Sequence, residues 1–291
     1  MPNTNWSRYV QGIHTLYDSR KLRFNDLFTT QYLSLFALDR DKPLKILEIG
    51  CGPGALAAAL HRWYPKAEIT GMDRDSEFIA FAKEEVPGVT FLEGDATALP
   101  FPDNTFDVTI SNTVSEHVEP SAFYGEQYRV LKPGGICLVL SARRGFNQDA
   151  PCLSPTQEEN TFWKSIGEVD DSMERYQVCR YPMSEMELPQ AMEQYGFIQV
   201  TTGYALIDLT PDHPRFSPAL AHDMINAGRA NDLEALDSAA LSYPSLATPE
   251  KVARQKELVN ARYNTRLSLY DQGLRQWDTH TSVTMVIRGV K

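Results

Sequence analysis

The sequence predicts an α/β fold built on a doubly wound, mostly parallel sheet, and three observations predict it. A buried-strand pattern, Lys45-Ile46-Leu47-Glu48-Ile49, runs into Gly50-Cys51-Gly52-Pro53-Gly54 and out into the helix-forming Ala55-Leu56-Ala57-Ala58-Ala59-Leu60. Strand and helix signals then alternate five times up to Leu140, at the spacing of βαβ units. The chain closes on Thr281 to Val290, where Val283, Met285 and Ile287 alternate with polar neighbours as in a strand.

From the N-terminus, Trp6, Tyr9, Val10, Ile13, Leu16 and Tyr17 recur at helical spacing, and so do Phe24, Leu27, Phe28, Tyr32, Leu35 and Phe36. Residues 1–40 are therefore expected to hold two amphipathic helices that cover the sheet, or that bring an aromatic such as Tyr17 over a ligand. Asp41-Lys42-Pro43 ends the run, because proline disfavours helix in the residue before it. Gly50, Gly52 and Gly54 remove side chains where the backbone turns sharply and a ligand approaches. Their spacing fits G-x-G-x-x-G/A through Ala55 as well as G-x-G-x-G, so the glycines alone leave a nicotinamide or flavin enzyme open.

Ala67 to Met72 reads as a second strand ending at Asp73, with Asp75 or Ser76 capping a helix through Val86. A carboxylate at that strand tip can accept hydrogen bonds from both hydroxyls of a ribose, or cap the following helix. Arg74 beside it suggests a 2′-phosphate, which the acid disfavours. Val89 to Glu93, the third strand, leads into Gly94-Asp95-Ala96. There the Asp95 carboxylate can accept from an adenine amino group and the Ala96 N–H can donate to a ring nitrogen; ordinary turn chemistry is the alternative. Phe106 to Ile110, the fourth strand, presents Ser111, Asn112 and Thr113 at the same edge. A helix from Ser121 to Val130 and the turn Leu131-Lys132-Pro133-Gly134-Gly135 precede the fifth strand, Ile136 to Leu140.

Two stretches depart from the rhythm. Residues 143–183, with Arg143-Arg144-Gly145 and three prolines, read as a lid-like loop. A helix from Ser184 to Tyr195, stopped by Gly196, and a sixth strand, Phe197 to Leu209, follow. Residues 210–278 form the second departure, a helical cap insertion. Ser217-Pro218 and Thr248-Pro249-Glu250 each place proline just after an N-cap. Val252, Val259, Tyr263, Leu267, Tyr270, Leu274 and Trp277 form one stripe, whose default meaning is core packing.

The formal charge is −10, from 28 basic and 38 acidic residues, which gives no general grip on nucleic acid phosphates. Residues 1–30 carry charges throughout and no 18-residue apolar run occurs, so a soluble, cytoplasmic protein is expected. Cys51, Cys137, Cys152 and Cys179 lack C-x-x-C spacing and read as free thiols; a role of Cys152 and Cys179 in holding a soft substrate is the alternative.

Together these residues resemble the class I S-adenosylmethionine-dependent methyltransferases, in particular the small-molecule group that includes quinone and sterol methylases. The resemblance rests on Leu47 to Gly54, Gly71-Met72-Asp73, Gly94-Asp95-Ala96 with Leu99 to Asp107, and Val130 to Gly135. It implies a Rossmann-like sheet of seven strands with the last antiparallel, formed by 41–209 and 279–291. It implies S-adenosylmethionine as cofactor and S-adenosylhomocysteine as product. It places the glycine turn along the methionine moiety with Glu48 beneath, Asp73 on the ribose, Asp95 and Ala96 on the adenine, and Asn112 near the methionine end. The expected acceptor is a small or medium-sized organic molecule under the cap, and no metal is expected. Methyl transfer from a sulfonium is an in-line displacement dominated by alignment, so no conspicuous catalytic residue is required. His117 is the one candidate base in the core motifs. A noncatalytic cofactor-binding protein and a nicotinamide oxidoreductase are the competing readings.

Overall fold

The computed structural model describes residues 5–142 and 148–291. Four helical pieces precede the sheet: α1 (Asn5–Tyr9), α2 (Ile13–Arg23), a 3-10 turn (Asp26–Phe28) and α3 (Thr29–Phe36). The first expected helix is thus split at Gly12, whose extended backbone caps α2. Gly12 N donates to Glu234 Oε1 at 2.6 Å, a long-range bond that continuous helix would forbid.

Strand and helix alternate through the core except between β3 and β4, which no helix separates: β1 (Lys45–Ile49), α4 (Ala55–Trp63), β2 (Glu68–Asp73), α5 (Ser76–Glu85), β3 (Thr90–Glu93), β4 (Phe106–Asn112), α6 (Pro120–Val130) and β5 (Leu131–Ala142). It continues through β6 (Gln148–Ala150), α7 (Gln157–Gly167), α8 (Ser172–Arg175), α9 (Glu187–Gln194), β7 (Ile198–Asp208), α10 (Pro218–Ser242), α11 (Pro249–Asp271) and β8 (Thr279–Val290). The strands line up as β3-β2-β1-β4-β5-β8, parallel up to β5. β8 is antiparallel to β5 on one side and to β7 on the other. The three-residue β6 prolongs the β5 side of β8, from Gln148 opposite Thr281 to Ala150 opposite Thr279, which makes eight strands where seven were expected. Strand order reverses between β1 and β4, and ligands of such sheets bind outside the strand carboxyl ends at that point.

One face of the sheet packs Phe24, Tyr32, Phe36 and Trp63 from the first helices and α4; the other packs Phe123, Tyr124, Leu188 and Met192 from α6 and α9. A third cluster, Phe162, Ile166, Leu236, Val252 and Val259, joins α7, α10 and α11. So 143–183 is not one loop. Thr156 accepts from Glu159 N while the Glu159 carboxylate accepts from Thr156 N, a capping box that nucleates α7. The Arg143-Arg144-Gly145 start of that stretch lies outside the described residues.

Ser217 and Thr248 cap α10 and α11 with proline next in sequence, as the spacing predicts. The apolar stripe of α11 ends earlier than its spacing suggests. Gly273 takes φ +73° just past Asp271, and Leu274 and Trp277 are 50% and 52% exposed. Among the described residues no helix is long and apolar enough to cross a membrane.

Candidate active site

The site begins at the turn after β1. Gly50 N and Cys51 N both donate to Met72 O, at 2.7 and 3.0 Å, which folds the chain back on the end of β2. That reversal puts Gly50 at φ +68°, where a Cβ would also lie 2.4 Å from Val114 Cγ2. Gly54 serves differently: it caps α4 against Phe91 and Ala82 and does not line the cavity beside the turn.

That cavity, about 340 Å³, is lined by Glu48, Gly50, Gly52, Asp73, Arg74, Asp95, Ala96, Asn112 and His117. The strand ends therefore bring together every residue singled out for the site except Gly54. Asp73 Oδ2 accepts from Gly52 N at 2.8 Å and Oδ1 from Asp75 N at 2.9 Å. A carboxylate has about four lone-pair sites, so it keeps two for a ligand. Burial pushes the Asp73 carboxyl up, and its two backbone bonds oppose that shift. Asp95 Oδ1 accepts from Thr97 N and Thr97 Oγ1, the turn chemistry expected of it, which leaves Oδ2 to face outward.

Glu48 is 2% exposed and its Oε2 has no hydrogen-bond partner. Burial, and then the Asp73 charge, hold its carboxyl well above the usual carboxylate range. An orphaned acidic oxygen at the wall of a cavity suits a ligand ammonium, which would draw the carboxyl back to its charged form. In the absence of ligand, the folded state is penalised once pH rises past the ordinary carboxylate pKa, because only the unfolded chain ionises freely. Glu48→Gln is therefore expected to be more stable than the parent at pH 8 and equal to it near pH 4. Thermal unfolding at the two pH values measures this; a gain at pH 4 as large as at pH 8 would refute it.

His117 occupies the wall but is not placed as a base. Its Nδ1 accepts from Cys179 N at 2.9 Å, and its ring stands edge-on to Trp6 with centroids 4.6 Å apart. With Nδ1 engaged as an acceptor, the neutral ring carries its proton on Nε2 and offers no free lone pair. Tyr17 does not close over the cavity either, for it packs on Phe81. Cys179 lies beside His117, whereas Cys152 lies near Asp278 and Arg266, so the two thiols serve different corners.

The roof comes from Trp6, Leu16 and Arg20 of α1 and α2, and from Gln177, Arg180 and Tyr181 after α8, within the 143–183 stretch expected to act as a lid; none of these six residues stands out in the sequence by itself. α1 is held there by Asp75, which accepts from Ser7 N and Ser7 Oγ. No residue of 210–278 lines the cavity; α10 packs against α1 and α2 instead and supports the roof from behind. Nothing in the sequence of α2 distinguishes Arg20 from its neighbours Lys21 and Arg23, because only the tertiary packing turns it inward.

A doubly wound sheet with two acids at successive strand tips beside a glycine turn defines a nucleoside-binding enzyme class. A family model described as a methyltransferase domain matches residues 47–139. A demethylmenaquinone methyltransferase of Chlorobaculum tepidum is 31% identical over 175 residues, 60% of this chain and 71% of that protein. A fatty-acid O-methyltransferase of Mycolicibacterium smegmatis is 42% identical over 103 residues, 34% of this chain and 37% of that protein, so the chain spans well under half of that relative. The solved phosphoethanolamine N-methyltransferase 2 of Haemonchus contortus, in complex with S-adenosyl-L-methionine, shares the fold. Its TM-score is 0.53 at 16% identity, over 99% of this chain and 59% of that one. The chain belongs to the class I S-adenosylmethionine-dependent methyltransferases. That membership removes the nicotinamide alternative the glycines left open.

Proposed function

We propose that this protein transfers a methyl group from S-adenosylmethionine to a small or medium-sized organic acceptor. The observation that carries the reading is the meeting of Asp73, Asp95 and the orphaned Glu48 Oε2 around one cavity at the glycine turn. When bound, S-adenosylmethionine supplies a methyl group already activated on a sulfonium. Asp73 accepts from the ribose hydroxyls, Asp95 and the Ala96 N–H read the adenine, Glu48 faces the ammonium, and Asn112 lies along the methionine. Arg74 flanks the ribose. The rest of the protein's work is alignment and exclusion of water, done by the roof of α1, α2 and 177–181. We assign 41–209 with 279–291 to the core, 1–40 with 177–181 of the 143–183 stretch to the roof, and α7 with 210–278 to the helical layer that braces it. The charge of −10 argues against a nucleic acid acceptor, and Cys51, Cys137, Cys152 and Cys179, held as thiols and not as disulfides, suit the cytoplasm.

Calorimetry tests the reading: S-adenosylhomocysteine should bind the purified protein. Asp73→Ala would also strand both Gly52 N and Asp75 N, which bond separate oxygens, so Asp73→Asn, which keeps an acceptor for one of the two, is the milder variant. It should weaken binding by about 1.5 to 3 kcal/mol, the scale of a lost charge-assisted hydrogen bond. Unaltered affinity would remove Asp73 from the ribose site.

A further inference from the structure

Arg20 enters the cavity from α2. Its hydrogen bond to Thr113 is long, Nη2 to Oγ1 at 3.4 Å. Among the described residues no carboxylate forms an ion pair with it; Glu116 acts on it only from a distance. Arg23 and Arg229, the latter with Nε and Nη2 buried and unbonded, also lack an ion pair among the described residues but do not line the cavity, and two further arginines are neutralised. Arg266 sits on Asp212 and Asp278, and Arg262 on Glu159 and Asp232. An enclosed guanidinium left without an anion is costly unless a ligand supplies one. Burial, with Arg23 alongside, pushes the Arg20 pKa down to about 9, so it is still charged at neutral pH.

Position along the sheet tells which ligand. The nucleoside acids Asp73 and Asp95 follow β2 and β3, at one end of the strand order. Thr113 follows β4, and the Arg20 guanidinium reaches its hydroxyl. The guanidinium thus stands at the tip of β4, on the other side of β1 from the nucleoside acids. Phe24, Leu16, Val114 and Val118 make the neighbouring wall apolar.

A second observation points the same way. Neither the lining imidazole nor the lining carboxylate on this side is placed to take a proton from an acceptor: His117 Nδ1 is engaged by Cys179 N, and the Glu119 carboxylate caps α6 through Ser121 and Ala122. Glu48, Asp73 and Asp95 lie on the cofactor's side. An acceptor that arrives already ionised requires no base.

We propose that the acceptor is an apolar carboxylate, seated on Arg20, and that its carboxylate oxygen receives the methyl group. This rests on the methyltransferase reading above. In the step a C–O bond forms to the methyl carbon as the C–S bond breaks, and the bonding pair stays on sulfur. A carboxylate and a sulfonium become a neutral ester and a neutral thioether, with no proton moved and no oxidant needed.

The probes are decanoate, decan-1-ol and decylamine, titrated by calorimetry into the full chain saturated with S-adenosylhomocysteine, and assayed for product with S-adenosylmethionine. Decanoate should bind and yield its methyl ester, while the alcohol and the amine do neither. Arg20→Gln should weaken decanoate binding by about 10- to 100-fold with S-adenosylhomocysteine affinity unchanged, and Arg20→Lys should recover part of the loss. Equal handling of the three probes, or no decanoate binding to the cofactor-loaded protein, overturns the carboxylate acceptor. A loss of S-adenosylhomocysteine affinity in Arg20→Gln as large as the loss for decanoate overturns it too, and gives Arg20 to the methionine carboxylate. If the parent protein fails to bind S-adenosylhomocysteine at all, it is the methyltransferase reading that falls.

Discussion

Replacing Arg266 by leucine is expected to lower the unfolding free energy by about 3 to 5 kcal/mol, the scale for leaving a buried charge without its partner. Arg266 is 3% exposed and Asp212 7%. Nη2 of the arginine meets Asp212 Oδ2 at 2.9 Å, and Nε meets Asp278 at 2.9 and 3.0 Å. Burial works against the Arg266 charge, and Asp278 and Asp212 outweigh it, so its pKa rises. Asp212 also accepts from Gln276 N and Trp277 N, which joins the end of β7, the C-terminal half of α11 and the entry to β8 at one point. The leucine would strand Asp212, not merely remove a bond. Adding Asp212→Asn, which keeps an acceptor for both N–H groups and removes the charge, should recover part of the loss. Urea unfolding of the parent, single and double variants measures this; a double variant less stable than Arg266→Leu by the full cost of a second lesion would show that the stranded charge is not the cause.

How much of this was legible depends on whether a residue's role is local. The turn at Gly50, the strand tips Asp73 and Asp95, and the caps Ser217 and Thr248 are fixed by neighbours a few residues away, and each could be read directly. The α7 helix was also legible in principle: Thr156 and Glu159 spell a capping box, and Phe162, Trp163 and Ile166 follow at helical spacing, but Pro151 and Pro155 made the stretch read as loop. Gly273 likewise marks the end of α11, and reading the apolar stripe past it carried Leu274 and Trp277 wrongly into the core. The individual residues of the roof were not legible, although the 143–183 stretch that supplies 177–181 did read as a lid. Trp6 and Arg20 sit on amphipathic helices like many others, and only the Ser7 bonds to Asp75 and the support of α10 turn them toward the strand ends. The same long-range packing explains why the insertion braces the site without lining it, since its apolar residues are spent on α7 and the N-terminal helices.

Gly50→Ala is expected to abolish useful cofactor binding, with S-adenosylhomocysteine affinity falling by about 100-fold or more, because a misplacement near 1 Å at such a site costs on that order. Two separate strains combine there. At φ +68° an L-residue costs about 1 to 2 kcal/mol. The added methyl would also lie 2.4 Å from Val114 Cγ2, and such overpacking costs about 1 to 3 kcal/mol. Val114 lines the cavity, so relief of the clash moves a wall of the site and shifts the Gly50 and Cys51 bonds to Met72 O. Gly134 provides the control. It has φ +77° with nothing within 4 Å of the position a Cβ would take, far from the cavity between α6 and the body of β5. Gly134→Ala should therefore lose only the backbone part of the stability, about 1 to 2 kcal/mol, and none of the affinity. Denaturant unfolding separates the stability costs of the two variants, and calorimetry separates their affinities. Equal affinity in both variants would mean that the turn at Gly50 needs glycine for its backbone alone, and that Val114 does not shape the cofactor site.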